Sequence, residues 1–484
     1  MSRWESGLSH RPTFLPAHLP GAQGGPSPEA SPLSDPDRVL ARLDSFIAAY
    51  GSRAMLYETW ASNPSLFDLL LLLFDRSEFL AEAAIATPDL VDELVLSGRL
   101  RRRKTAAEIL QDLQHGCHDA DQRLWLRRYH QAELMRIGLR DILGLADFEQ
   151  NLVELTALAD GCLQYALEAV LRKNKVKAPP FVILGLGKLG GAELNYGSDL
   201  DLVFVADPKT KNLARLQQLA VKVMDLLSSR TETGIAFVTD ARLRPDGEKG
   251  LLVNTLSAHE EYYRKRAQLW EIQALTRVRP IAGNMELGAR FVELAGRLTN
   301  FKVGKGEIKI RSKIKKTGYS ANRSAALDLD PDRNLSAYTP GWKTQIAHMR
   351  SRIEKERTPA GKDALAIKTG AGGLIDSEFI AQTLCLENGW QEPNTLSALR
   401  RAQAGRALAP DDAARLIENY RQLRRVEGIL RRWSFAGETG LPDDEAARYR
   451  VAVRCGWPNA ADFMQAIRGY RAAIREVYPK VFSG

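Results

Sequence analysis

GLGKLGGAELNYGSDLDLVFV, residues 185–205, admits two incompatible readings, and the fold turns on which of them holds. Gly185, Gly187 and Gly190 spell the G-x-G-x-x-G of a dinucleotide-binding turn, and the apolar run Phe181 to Leu184 leads into them as a strand would. Such a turn must open a helix and cross over to a parallel strand, which takes about ten to twelve residues. Only residues 191–199 separate Gly190 from the next apolar run at Leu200, and Gly197-Ser198-Asp199 among them is itself a turn signal. Asp207 stands near the distance expected of a ribose-binding acid, but Pro208 follows it directly and no helix precedes its strand. A Walker A loop is excluded as well, because Lys188 is followed by Leu189 instead of Ser or Thr. Two strands joined by a glycine-bearing turn remain.

In the second of these strands side chains alternate, so Asp199 and Asp201 share one face while Leu200 and Leu202 enter the core. Two carboxylates side by side repel unless a cation sits between them, which points to a divalent metal such as Mg²⁺. The run Ile235 to Arg244 reads as a further strand, and the same alternation predicts Asp240, Arg242 and Arg244 on a common face. A third carboxylate beside two guanidinium groups suits a triphosphate held by two metal ions, the acids on the metals and the forks on the phosphates. Gly197 and Ser198 offer a backbone N–H and a hydroxyl to the outer phosphates. Lys188 reads equally well as a phosphate ligand or a solvated charge. Lys368, in Lys-Thr-Gly-Ala-Gly-Gly ahead of an expected helix 374–384, sits where a helix start could hold an anion, whereas Asp376 and Glu378 read as ordinary acids at a helix start.

The rest of the chain bounds these readings. Its 484 residues suggest two to four domains, and 44% hydrophobic with 26% charged residues is the composition of a soluble globular protein. Four scattered cysteines form no C-x-x-C pair, which fits a reducing cytoplasm, and no run is apolar and long enough to span a bilayer. Residues 302–316 hold +6 of the net +9, so the basic excess is local and no broad phosphate-tracking surface is expected. The fold class expected is α+β, mostly helical: a Pro-rich disordered tail (1–36), an N-terminal helical domain (37–175), a small mixed-sheet head (176–300), a basic insertion or loop (301–340) and a C-terminal helical domain (341–484). Strands are expected at 181–186, 200–206 and 235–243, and helices at 213–228 and 257–276.

Four blocks in order, GLGKLGGAELNYGSDLDLVFV, DARLRPDGEKGLLV, LWEIQALTRVRPIAG and KTGAGGLIDSEFIAQ, resemble the signatures of the glutamine synthetase adenylyltransferase/adenylyl-removing enzyme family, within the polymerase-β-like nucleotidyltransferases. The resemblance runs from about residue 40 to the C-terminus. It implies a nucleotidyltransferase head flanked by helical bundles, with ATP as substrate and glutamine synthetase as protein partner. The implied activity is transfer of AMP to a tyrosine hydroxyl, or phosphorolytic removal of that AMP with release of ADP. Longer family members carry two such halves and this chain has one Gly-Ser-Asp-Leu-Asp, so a second half-enzyme chain and a PII-type signal protein are further partners the resemblance implies. It also assigns Asp199, Asp201 and Asp240 to two Mg²⁺ ions and to catalysis, and Glu271 and Arg277 resemble family positions whose roles stay open. An RNA-adding nucleotidyltransferase would use the same acids, but no basic surface interleaved with aromatic residues accompanies them, so a nucleic-acid partner is not expected.

Overall fold

The computed structural model describes residues 33–302, 335, 337–437 and 440–482. The expected tail 1–36 and basic insertion 301–340 fall, apart from their edges, outside the described residues. The fold is α+β and mostly helical, with one small mixed sheet. Its centre is the antiparallel pair β1 (Phe181–Gly185) and β2 (Leu200–Ala206), in which Gly185 lies opposite Leu202 and Phe181 opposite Ala206. An antiparallel pair excludes the crossover of a dinucleotide fold. The GLGKLGG glycines instead form a single helical turn, Gly187–Gly190. Gly187 has φ +54°, and a Cβ there would overlap the Asp201 carboxylate; at Gly190 a Cβ would overlap the Arg277 carbonyl. The glycines therefore let the turn lie flat against an acid and a neighbouring backbone.

Three short strands complete the sheet. β3 (Thr239–Asp240) and β4 (Val253–Thr255) run parallel to successive segments of the outer edge of β2, and β5 (Arg279–Gly283) runs antiparallel to β1. The strand expected over 235–243 is thus two residues long, and the chain turns away at Ala241. Ile235 and Val238, which suggested a buried strand, are exposed and border a cavity of about 160 Å³ beside Gly197 and Ser198. The helix expected over 257–276 is two helices, Leu256–Lys265 and Leu269–Leu275. Gln268 and Glu271 close the second one with a reciprocal cap, and Glu271 also accepts the Tyr262 hydroxyl at 2.7 Å.

Alternation along the sheet divides the core. Phe181, Ile183, Leu200, Leu202 and Phe204 pack with the helices Phe148–Lys173 and Leu213–Ser228. Val182, Leu184, Val203 and Val205 belong to a second core, shared with the helix Met285–Leu298 and the C-terminal helices 342–482. A third core occupies the N-terminal helices, Pro36–Ala49 to Asp89–Leu96. The helix Pro410–Ser434 touches all of these regions: its Arg432 carbonyl accepts from Ser77 at 2.6 Å, Arg432 pairs with Asp141 at 2.7 Å, and Arg424 donates to the Glu193 carbonyl at 2.9 Å.

Candidate active site

The acids gather where β2 begins. Leu200 and Leu202 are fully buried beneath the sheet, so Asp199 and Asp201 lie on the opposite face, Asp199 exposed and Asp201 largely covered. Parallel pairing sets Asp201 directly beside Asp240, with Leu200 N–H donating to the Val238 carbonyl at 2.9 Å. Burial, followed by the negative charges of Asp240 and Asp199, pushes the Asp201 carboxyl up to about 6, against the opposing pull of Arg277 and Arg242. The three carboxylates therefore share one field.

The Asp240 side chain is turned onto its neighbour. It accepts Arg242 Nη2 at 2.5 Å, Nε at 2.9 Å and the Arg242 backbone N–H at 2.8 Å, and the guanidinium holds its carboxyl below the usual range. In this arrangement no three of the described His, Cys, Asp and Glu side chains close into a metal-holding group. The donor set nevertheless suits a hard divalent cation, because it consists of carboxylate oxygens, and a cation between the acids would offset both the burial and the neighbouring negative charge that raise the Asp201 carboxyl.

The basic residues stand differently from the expected phosphate grip. Because the chain turns at Ala241, alternation does not extend to Arg244; its guanidinium braces the following loop through the carbonyls of Ala241, Glu248 and Gly250. Arg242, mostly in solvent, forks onto Asp240. Lys188 reaches across to the C-terminal helices and pairs with Glu427 at 2.9 Å, and burial pushes its ammonium down to about 7. Glu427 stays ionised despite its burial because Lys188, Arg424 and Arg431 face it. Arg431 donates to the Tyr196 carbonyl at 3.1 Å and to the Ser198 hydroxyl at 3.3 Å, so the Gly197-Ser198 turn is clamped from the same helix. Lys368 lies within electrostatic reach of Lys188 and Glu427. Asp376 is fully buried, accepting Gly372 N–H at 2.8 Å and pairing with Arg350 and Arg475, which makes it a brace for its loop instead of a simple helix-start acid.

Of the residues that hold the site in place, sequence reasoning singled out Arg277 without a role and missed the others. Arg277 is buried in an ion pair with Glu193, which also accepts the Thr395 hydroxyl at 2.9 Å. Arg424, Glu427 and Arg431 lie some 230 positions beyond the turn they support. Their one local signal is a charged ladder at helical spacing on a helix face that apolar neighbours bury.

Comparison with known proteins places the chain beside one group of relatives. The family model described as glutamate-ammonia ligase adenylyltransferase matches residues 67–294, and that described as GlnD PII-uridylyltransferase matches residues 342–482. A bifunctional glutamine synthetase adenylyltransferase/adenylyl-removing enzyme of Aromatoleum aromaticum is 32% identical over 448 residues, covering 88% of this chain and 43% of the relative. Proteins of the same description from Thioalkalivibrio sulfidiphilus and Streptomyces avermitilis are 26% and 28% identical, covering 88% and 93% of this chain and 44% and 43% of their own lengths. The chain spans less than half the length of these curated relatives.

Proposed function

Because the chain belongs to the glutamate-ammonia ligase adenylyltransferase family, we propose that it transfers AMP from ATP to a tyrosine hydroxyl of glutamine synthetase. The observation that carries this reading is the parallel register that sets Asp201 beside Asp240, with Asp199 two residues earlier on the same face of β2. Asp199 and Asp201 would hold Mg²⁺, and Asp240 would complete the set once released from Arg242. Bound there, two magnesium ions would neutralise the triphosphate and the departing pyrophosphate. Asp240 is the acid best placed to draw the proton from the attacking tyrosine oxygen as its bond to the α-phosphorus forms and the bond to pyrophosphate breaks. Arg242, freed of Asp240, has the reach and exposure to meet the outer phosphates. The Gly197-Ser198 turn would receive them, and the Arg431 clamp would hold that turn in position. Lys188 and Lys368 would contribute positive potential behind it, not direct contacts.

A reducing cytoplasm is the compartment this reading calls for, and all four cysteines are free. Among the described residues no helix is long and apolar enough to cross a membrane.

The test is incubation with labelled ATP, Mg²⁺ and either glutamine synthetase or RNA. Label on glutamine synthetase is expected; label on RNA, or none on either, overturns the proposal. ADP release from adenylylated glutamine synthetase and phosphate, without the forward reaction, would reverse the assigned direction. Asp199→Asn is expected to lower turnover at least about a thousandfold while leaving the fold intact, and an unchanged rate would refute the metal assignment.

A further inference from the structure

A second cavity lies away from the acids, where the helices Pro36–Ala49, Pro410–Ser434 and Glu445–Arg454 meet the loop 359–369. Its volume is about 490 Å³, the size of a small-molecule site. Four basic side chains line it, Arg38, Lys362, Arg450 and Arg454, against one acid, Asp443, which Lys362 already neutralises. Arg38 and Arg450 share Asp35 at the rim at 3.8 and 3.7 Å, and Arg38 also reaches Glu78 at 3.5 Å, so Arg450 is the rim guanidinium with the looser partner.

Arg454 is the decisive residue. It is 91% buried, and its guanidinium stacks on the indole of Trp433 with 3.4 Å to the ring centroid. It donates only through Nε, to the Ser34 hydroxyl at 3.1 Å and the Asp75 carbonyl at 3.0 Å. Among the described residues its buried Nη2 has no hydrogen-bond partner, and no carboxylate lies within ion-pair distance. Burial, with the nearby charges of Arg76, Arg38 and Arg450, pulls it down to about 9, and the Asp75 carboxylate only partly offsets this. Burying a cation this way is costly unless an anion compensates it.

We propose that this cavity is a binding site for a small organic anion, its phosphate or carboxylate held by Arg454 and Arg450 and its body packed on Trp433, Leu430 and Val451. Guanidinium forks match both oxyanions, and the apolar wall selects for a ligand with a carbon frame. The site is independent of the nucleotidyl-transfer reading, since none of its lining residues belongs to the acid cluster.

Thermal unfolding of the full chain in inorganic phosphate and, separately, in citrate, each against sodium chloride at matched ionic strength, tests it. A saturable rise of about 2–3 °C in at least one arm is expected; a response to phosphate alone identifies an organic phosphate as ligand class, one to citrate alone a carboxylate. Arg454→Met should abolish the rise. In case that variant unfolds, Arg450→Gln at the partly exposed rim should fold normally and weaken binding at least about tenfold. Asp201→Asn should leave the response intact. No saturable rise in either arm, or a rise that Arg450→Gln leaves unchanged, would overturn the site.

Discussion

Asp201 carries a cost that its position explains. Its carboxyl is raised above its unfolded value, so ionisation weakens the folded state, fully so above about pH 6, and the penalty fades as pH falls towards the unfolded value near 4. Asp201→Asn should therefore stabilise the metal-free protein by about 2–3 kcal/mol at pH 7.5 and by almost nothing at pH 4, in chemical denaturation at both pH values. The same variant should lose transfer activity and any Mg²⁺-dependent rise in melting temperature. Glu427 behaves in the opposite sense. It is buried among Lys188, Arg424 and Arg431, and Glu427→Gln leaves those three cations facing one another. A loss of about 3 kcal/mol is expected, with part of it recovered when Lys188→Met is added, because removing both members of a buried pair costs less than removing one.

At the scale of single elements, the turn Gly187–Gly190 and the strand β2 act as one piece. Gly187→Ala would place a methyl group on the Asp201 carboxylate in a left-handed backbone. Circular dichroism should show the fold retained at a cost of about 1–2 kcal/mol, with transfer activity lost because the acid is displaced. β1, β2 and the Gly-Ser-Asp turn were legible because apolar runs, alternation and a turn signal agree with one another there. β5 was not, since Pro280 within Arg279–Gly283 argues against a strand; it is tolerated because β5 pairs on one side only and the ladder shifts register between Ile183 and Leu184. β3 was overestimated from apolar residues that border a cavity instead of pairing. Arg242 and Arg244 were placed by an alternation that stops when the chain turns at Ala241. The acids themselves were found by spacing; their supports, Glu193 and Glu427, make contacts far along the chain that no local pattern encodes.

Across the whole molecule, the head does not own its core. Val182, Leu184, Val203 and Val205 pack on the helices Leu256–Lys265 and Met285–Leu298 in a core that continues into the C-terminal helices, and the helix Pro410–Ser434 binds the N-terminal helices, the Gly-Ser turn and the C-terminal helices at once. A fragment ending at residue 300 should expose the part of this core that the C-terminal helices cover, bind a hydrophobic dye and melt without a sharp transition, whereas the full chain should unfold cooperatively. A sharp, dye-free melt of the fragment would show that the head stands alone. The division of β2 between two cores has one more effect. Slipping its pairing by a single residue would turn Asp199 and Asp201 into the oily interior that now holds Leu200 and Leu202. The acids thus proofread strand assembly, and a misthreaded sheet is rejected by residues of the candidate site itself.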